Sequence, residues 1–180
     1  MTHPAWLVVI DMQAVFADPD SPWRAPRYAD AAAGIRTLLP AFAGRTVWTR
    51  FLAPTEPRGA WAAYYAEWGF AREPADSPIW AFRGLEPGKD PVVETTTFGK
   101  WGRRLAAVTG DAPLVLTGVS TDCCVLSTAL AAADDGRFVR VVADACAGAS
   151  DDDHRRALDA MALYRPLVAI TDVAAELQAA

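Results

Sequence analysis

Apolar residues in this chain come in short unbroken runs, separated by longer stretches of mixed polarity. Four runs read as strands buried on both faces: "WLVVI" (6–10), "TVWT" (46–49), "PLVLTGV" (113–119) and "FVRVVA" (138–143). "PVVE" (91–94) and "PLVAIT" (166–171) supply a fifth and sixth. Ala-rich segments of helical length lie between most of them, at 28–43, 101–109, 122–135 and 151–164. Strands alternating with helices predict an α/β fold, a three-layer αβα sandwich around a mainly parallel, roughly six-stranded sheet. Ser150 stands before "DDDHRRALDAMALY", an N-cap followed by three acids that complement the helix dipole. No repeat, low-complexity tract or linker interrupts the pattern, so 1–180 reads as a single domain.

Segment 53–90 breaks the rhythm. It is rich in proline and aromatics, and Trp61, Tyr64, Tyr65 and Trp68 recur at i, i+3, i+4 and i+7, one face of a helix. That face suits a core or subunit interface, or an aromatic wall over a ligand pocket.

A net charge of -5 without a basic stripe excludes nucleic acid as the expected partner. No apolar run is long enough to span a bilayer, so no membrane partner is expected. "MTHPAWLVVIDMQ" lacks the basic n-region and cleavage site of a signal peptide. Three cysteines, two of them adjacent, do not make a disulfide framework, and a cytoplasmic location is the expectation. Of the 17 Lys and Arg, only Lys89 and Lys100 are lysines, which raises the interest of each, because lysine is the cation whose proton affinity is tunable. His3, in the tail, and His154, expected to be solvated at a helix start, are the only histidines. Cys–His and Ser–His mechanisms therefore lack a base.

Ligands of open α/β sheets sit at the carboxyl ends of the strands. Asp11 ends the first run, "STDCCV" follows the run at 113–119, Asp144 ends the run at 138–143, and Lys100 comes shortly after "PVVE". An acid, a lysine and a cysteine can thus converge. Asp144 can instead cap a turn, and Cys146 reads as a packing residue. The first turn of a helix lowers a thiol's pKa, and Cys123 and Cys124 both fall there. Successive helical residues point about 100° apart, so only one of them is expected to face the cleft. Residue physics leaves open which.

"VVIDMQAVF", "LTGVSTDCCVLSTALAAADDG" and "VRVVADACAG" together resemble the isochorismatase-like cysteine hydrolase superfamily, which includes nicotinamidases, N-carbamoylsarcosine amidases and isochorismatases. The resemblance implies Cys124, the cysteine before the valine, as nucleophile, with Cys123 at a variable position, and Asp11 as the acid. It also implies a cis peptide at Val119–Ser120 and an oxyanion hole made by the N–H groups of Ser120 and Cys124. The family lysine would fall near Glu94 or Thr95; Lys100 is the candidate to supply it from a shifted position. The nicotinamidase D-x-H metal motif is replaced by "TRFLAPTEPRG", so neither a metal nor another cofactor is expected. The resemblance implies a cysteine-dependent hydrolase of a small amide or related C–N bond, working through a thioester. An isochorismatase-type vinyl-ether hydrolase and a catalytically silent binding protein are the alternatives. Trp61, Tyr65, Trp80 and Trp101 are the expected pocket residues, with Arg50 facing an anionic substrate group, and a homo-oligomer is expected.

Overall fold

A computed structural model describes residues 4–179; His3 lies outside them. Six parallel strands form one sheet: β1 (Trp6–Ile10), β2 (Thr46–Phe51), β3 (Val92–Thr95), β4 (Leu114–Val119), β5 (Val139–Ala147) and β6 (Val168–Thr171), in the order β3-β2-β1-β4-β5-β6. Seven helices accompany it among the described residues: α1 (Ala14–Ala17), α2 (Tyr28–Leu38), α3 (Ala60–Glu67), α4 (Arg103–Thr109), α5 (Leu126–Asp134), α6 (Asp151–Ala162) and α7 (Val173–Ala179).

The strand pleat divides the core in two. Leu7 and Val9 point to one face and pack with Ile35 and Leu38 of α2, Tyr65 of α3 and Val173 of α7. Val8 and Ile10 point to the other, with Leu105 of α4, Ala129 and Ala132 of α5 and Met161 of α6. This is the predicted three-layer architecture, with every strand pair parallel.

Several boundaries differ from the sequence expectation, each for a local reason. The helix expected over 28–43 ends at Leu38, and Pro40 turns the chain through a tighter 3₁₀ turn at Leu39–Phe42. The run at 138–143 does not end at Asp144: β5 continues to Ala147, and the Asp144 carboxylate accepts the N–H of Val173 at 2.9 Å. It caps α7, a helix the apolar pattern did not reveal, and has no chemical post. Ser150 caps α6 as expected, accepting the Asp153 N–H at 3.1 Å.

The strand order reverses between β1 and β4, so their carboxyl ends open the crevice where open sheets bind ligands. Gly118 makes that junction possible. Its φ is +106°, the β4–β5 register shifts beside it, and a Cβ there would stand 2.1 Å from the Ile10 carbonyl oxygen. Only glycine allows the two strands to approach so closely. Gly118→Ala is therefore expected to destabilise the chain by about 4 kcal/mol or more, measured by chemical denaturation. Gly136→Ala, at a positive φ with nothing near the added carbon, is the control expected to cost about 1 kcal/mol.

Candidate active site

Asp11 is the first residue beyond β1 and is fully buried. Its backbone takes a left-handed conformation, φ +50°, uncommon for a residue with a Cβ and typical of positions that surrounding structure enforces. Here the enforcement comes from Thr49 on β2. The Thr49 hydroxyl donates to Asp11 Oδ1 at 2.6 Å, and the Asp11 N–H donates back to that hydroxyl at 3.2 Å. Gln13 locks the next turn: its amide donates to the Phe51 and Trp80 carbonyls, each at 2.9 Å, and accepts the Phe51 N–H at 2.8 Å. One buried side chain thus ties the ends of β1 and β2 to the 78–80 turn.

Lys100 reaches Asp11 from the loop between β3 and α4. Its Nζ lies 2.7 Å from Asp11 Oδ2, and neither side chain is exposed to solvent. The ammonium also donates to Thr95 Oγ1 at 3.1 Å and to the Thr97 carbonyl at 2.9 Å, and stands 4.9 Å from the centre of the Phe51 ring. Thr95, at the end of β3 where the resemblance looks for a lysine, is here a hydroxyl that accepts from one. Thr128 on α5 holds the loop in place: its hydroxyl accepts the Lys100 N–H at 2.9 Å and donates to the Cys124 carbonyl at 2.6 Å. Gln13 and Thr128 fall inside the blocks that carry the resemblance, but neither they nor Thr49 had a role assigned from sequence, and their partners reveal what they do.

After β4 the Val119–Ser120 peptide is cis. Residues Thr121–Val125 then form a single wide π turn, closed by the Val125 N–H donating to the Ser120 carbonyl at 3.0 Å. Asp122 braces the turn, accepting the Ser120 hydroxyl at 2.5 Å and the Ala149 N–H at 2.9 Å through Oδ1. His154 is not the solvated residue expected at a helix start. It is half-buried beneath the turn, sharing a 2.8 Å hydrogen bond with the Thr121 hydroxyl, and burial holds its imidazole below the usual range.

Beside the turn opens a cavity of about 420 Å³. Its wall is aromatic, from Phe16, Trp23, Phe51, Tyr64, Trp68 and Phe98, and Ser120, Asp122, Cys123 and Cys124 complete it. The wide turn puts both adjacent cysteines on this cavity, where regular helical geometry allowed only one. Cys124 is the buried one, close enough to Asp11 and Lys100 to feel both charges, and Cys123 is half-buried at 3.6 Å from Asp122 Oδ2.

None of the five expected pocket residues lines the cavity. Trp61 and Tyr65 stand behind Tyr64, on the core side of α3, with ring centroids 5.3 and 5.4 Å from it. Trp80 is fully buried under Phe51. Trp101 lies on the opposite face of the sheet, donating to Asp135 at 3.1 Å with the Arg137 guanidinium over its ring. Arg50 is paired with Glu94 on the neighbouring strand, the structural role that competes with anion binding. The heptad-like spacing located the right helix; which of its aromatic residues meets the cavity depends on how α3 is rotated against β2. Among the described residues, no group of three or more His, Cys, Asp or Glu side chains is placed to hold a metal ion.

The electrostatics of Cys124 also depart from the sequence expectation. A helix start and a nearby lysine were expected to lower its pKa. Lys100 does act in that direction, but complete burial outweighs it, and the charge and hydrogen bond of Asp11 push the same way as burial. The resting sulfur is a neutral thiol well above its ordinary range. Cys123 is pushed up to about 11 by burial and by Asp122, and burial raises Cys146 as well. Three outcomes are expected from pH-dependent iodoacetamide alkylation with mass-spectrometric assignment. Cys124 titrates above the free-thiol range in the wild type, Asp11→Asn moves that titration down, and Lys100→Met moves it further up. Lys100→Met is also expected to cost about 3–5 kcal/mol of stability, since it strands a buried carboxylate.

The family model for the isochorismatase domain matches residues 5–175. No curated protein sequence gives a significant match. Among solved structures, a cysteine hydrolase from Pseudomonas syringae pv. phaseolicola 1448A superposes with a TM-score of 0.83 at 19% identity, over 97% of this chain and 91% of that one. The pyrazinamidase of Pyrococcus horikoshii, solved in complex with zinc, gives 0.77 at 21% identity, over 94% and 99%. A nicotinamidase from Bacillus subtilis gives 0.74 at 17% identity, over 94% and 100%. At these identities the superpositions speak for the fold, while the family model spans nearly the whole sequence: the chain belongs to the isochorismatase family of hydrolases.

Proposed function

We propose that this protein is a cysteine hydrolase that cleaves a small amide or related C–N bond through a thioester. One observation carries the reading: the Cys124 thiol, on the wall of an apolar cavity, lies within the electrostatic reach of Asp11, which is ion-paired at 2.7 Å with a buried lysine.

Because the resting thiol is neutral, proton transfer accompanies attack. Asp11 accepts the Cys124 proton as sulfur bonds to the substrate carbonyl carbon, and the oxygen takes up the negative charge. The N–H groups of Ser120 and Cys124 are the donors assigned to that oxyanion. Lys100 keeps Asp11 oriented before the transfer and offsets the charge on sulfur as it develops. Asp11 then gives its proton to the leaving nitrogen as the C–N bond breaks. Water attacks the thioester and yields a proton to Asp11; the C–S bond breaks, and the returning proton restores the thiol. The aromatic wall excludes bulk water from the first step, which strengthens every charge interaction inside.

A panel of primary amides, assayed for ammonia release, is the test. The expected result is turnover of at least one member, with Cys124→Ala abolishing it and Asp11→Asn lowering it about 10²–10⁴-fold. An acyl adduct on Cys124, trapped in single turnover and seen by mass spectrometry, is expected as well. Turnover that survives Cys124→Ala would overturn the thioester route in favour of acid–base chemistry by Asp11 alone.

A further inference from the structure

Six aromatic rings wall the active-site cavity. Trp23 is their hub. Its ring meets Phe51 at 76°, Trp68 at 61° and Tyr64 at 37°, with centroids 5.8 to 6.3 Å apart. Phe16, nearly parallel to Trp23 at 13°, backs it. Phe51 and Phe98 are also near-parallel, at 16°. An apolar cavity walled by so many aromatic rings attracts alkylated cations through the negative ring faces.

The charge distribution has the same sense. No Lys, Arg or His lines the cavity, and the nearest ammonium, Lys100, is already taken by Asp11. The ionisable acid on the wall is Asp122. Its Oδ1 is committed to Ser120 and Ala149, while Oδ2 has a thiol at 3.6 Å. That second oxygen has only a weak partner, and a bound cation would give it a strong one. The upward push that Asp122 and Asp153 exert on the Cys123 thiol, secondary to burial, shows the same negative field at the wall. A carboxylate-bearing substrate would meet that field with no cation to receive it.

Accepting the amidase reading above, we propose that its substrate carries a rounded cationic group, an alkylated or quaternary ammonium, seated among Trp23, Phe51, Tyr64 and Trp68 with Asp122 as its counter-charge. Asp122 and Trp23 are then specificity-determining residues, distinct from the Asp11, Lys100 and Cys124 that perform the reaction.

Three amides of matched size separate the possibilities: trimethylammonioacetamide, its uncharged shape-match 3,3-dimethylbutanamide, and malonamate. Binding is measured by calorimetry on the Cys124→Ala protein, so no turnover is needed. The cation is expected to bind at least about tenfold tighter than the neutral isostere, with malonamate weakest. Asp122→Asn, which keeps an Oδ1 acceptor for Ser120 and Ala149, is expected to cut the cation-to-neutral ratio at least about threefold. Equal binding of the first two amides, tighter binding of malonamate, or no measurable binding of the cation would overturn the proposal, whether or not the Asp122 variant folds. Ammonia release by the wild type separates this idea from the one it rests on. A cation preference without hydrolysis upholds the cationic ligand and sinks the thioester route. Hydrolysis of the first two amides with no preference between them does the reverse.

Discussion

A lysine and an aspartate held 2.7 Å apart with no exposure to solvent form the interaction on which the site depends. Removing two charges from water costs several kcal/mol for each, and their mutual attraction offsets this only where the remaining donors and acceptors are also satisfied. Four parts of the fold cooperate to satisfy them. β2 offers the Thr49 hydroxyl to the carboxylate, and the end of β3 with the following loop offers Thr95 and the Thr97 carbonyl to the ammonium. The Phe51 ring faces the ammonium, and α5 pins the lysine's backbone through Thr128. The pair can exist only with the sheet assembled and the loop docked, so it is also a tertiary lock between the ends of β1, β2 and β3 and helix α5.

The same burial explains why the two adjacent cysteines behave alike at rest and differ in placement. Both thiols are raised, each chiefly by desolvation. What separates them is the neighbouring acid. Cys124 neighbours Asp11, whose Oδ2 is paired with Lys100. Cys123 faces Asp122, which lacks such a partner and disfavours thiolate. In the proposed reaction, chemistry goes to the sulfur whose carboxylate neighbour is paired with a lysine. The aromatic wall stands over this arrangement, and Asp122 is the carboxylate on it.

Much of the architecture was legible along the chain. Short apolar runs marked all six strands; the four inner ones are largely buried on both faces and need no polar alternation, while β3 and β6 are edge strands with partly exposed positions. Ser150 and three acids marked α6. The scarcity of lysine directed attention to Lys100, which does meet Asp11 although it lies five residues beyond the end of β3. The apolar pattern was silent on α7, a seven-residue helix that contributes few core side chains. It was equally silent on Thr49, Gln13 and Thr128, whose hydrogen-bond partners are 28 to 67 residues away or lie across a helix turn from a buried carbonyl.

The sequence by itself determined the strand and helix succession, hence the parallel sheet, and the inventory of groups able to do chemistry: one acid at a strand end, one lysine, and thiols in one turn. Those are properties of local composition and spacing. Tertiary structure decided the rest. The wide π turn brought both cysteines to the cavity, the rotation of α3 presented Tyr64 and Trp68 to it and turned Tyr65 inward, and burial reversed the expected shift of the Cys124 thiol. Each of these depends on what lies within a few ångströms in space, and desolvation in particular is a property of the assembled surroundings that no stretch of sequence carries on its own.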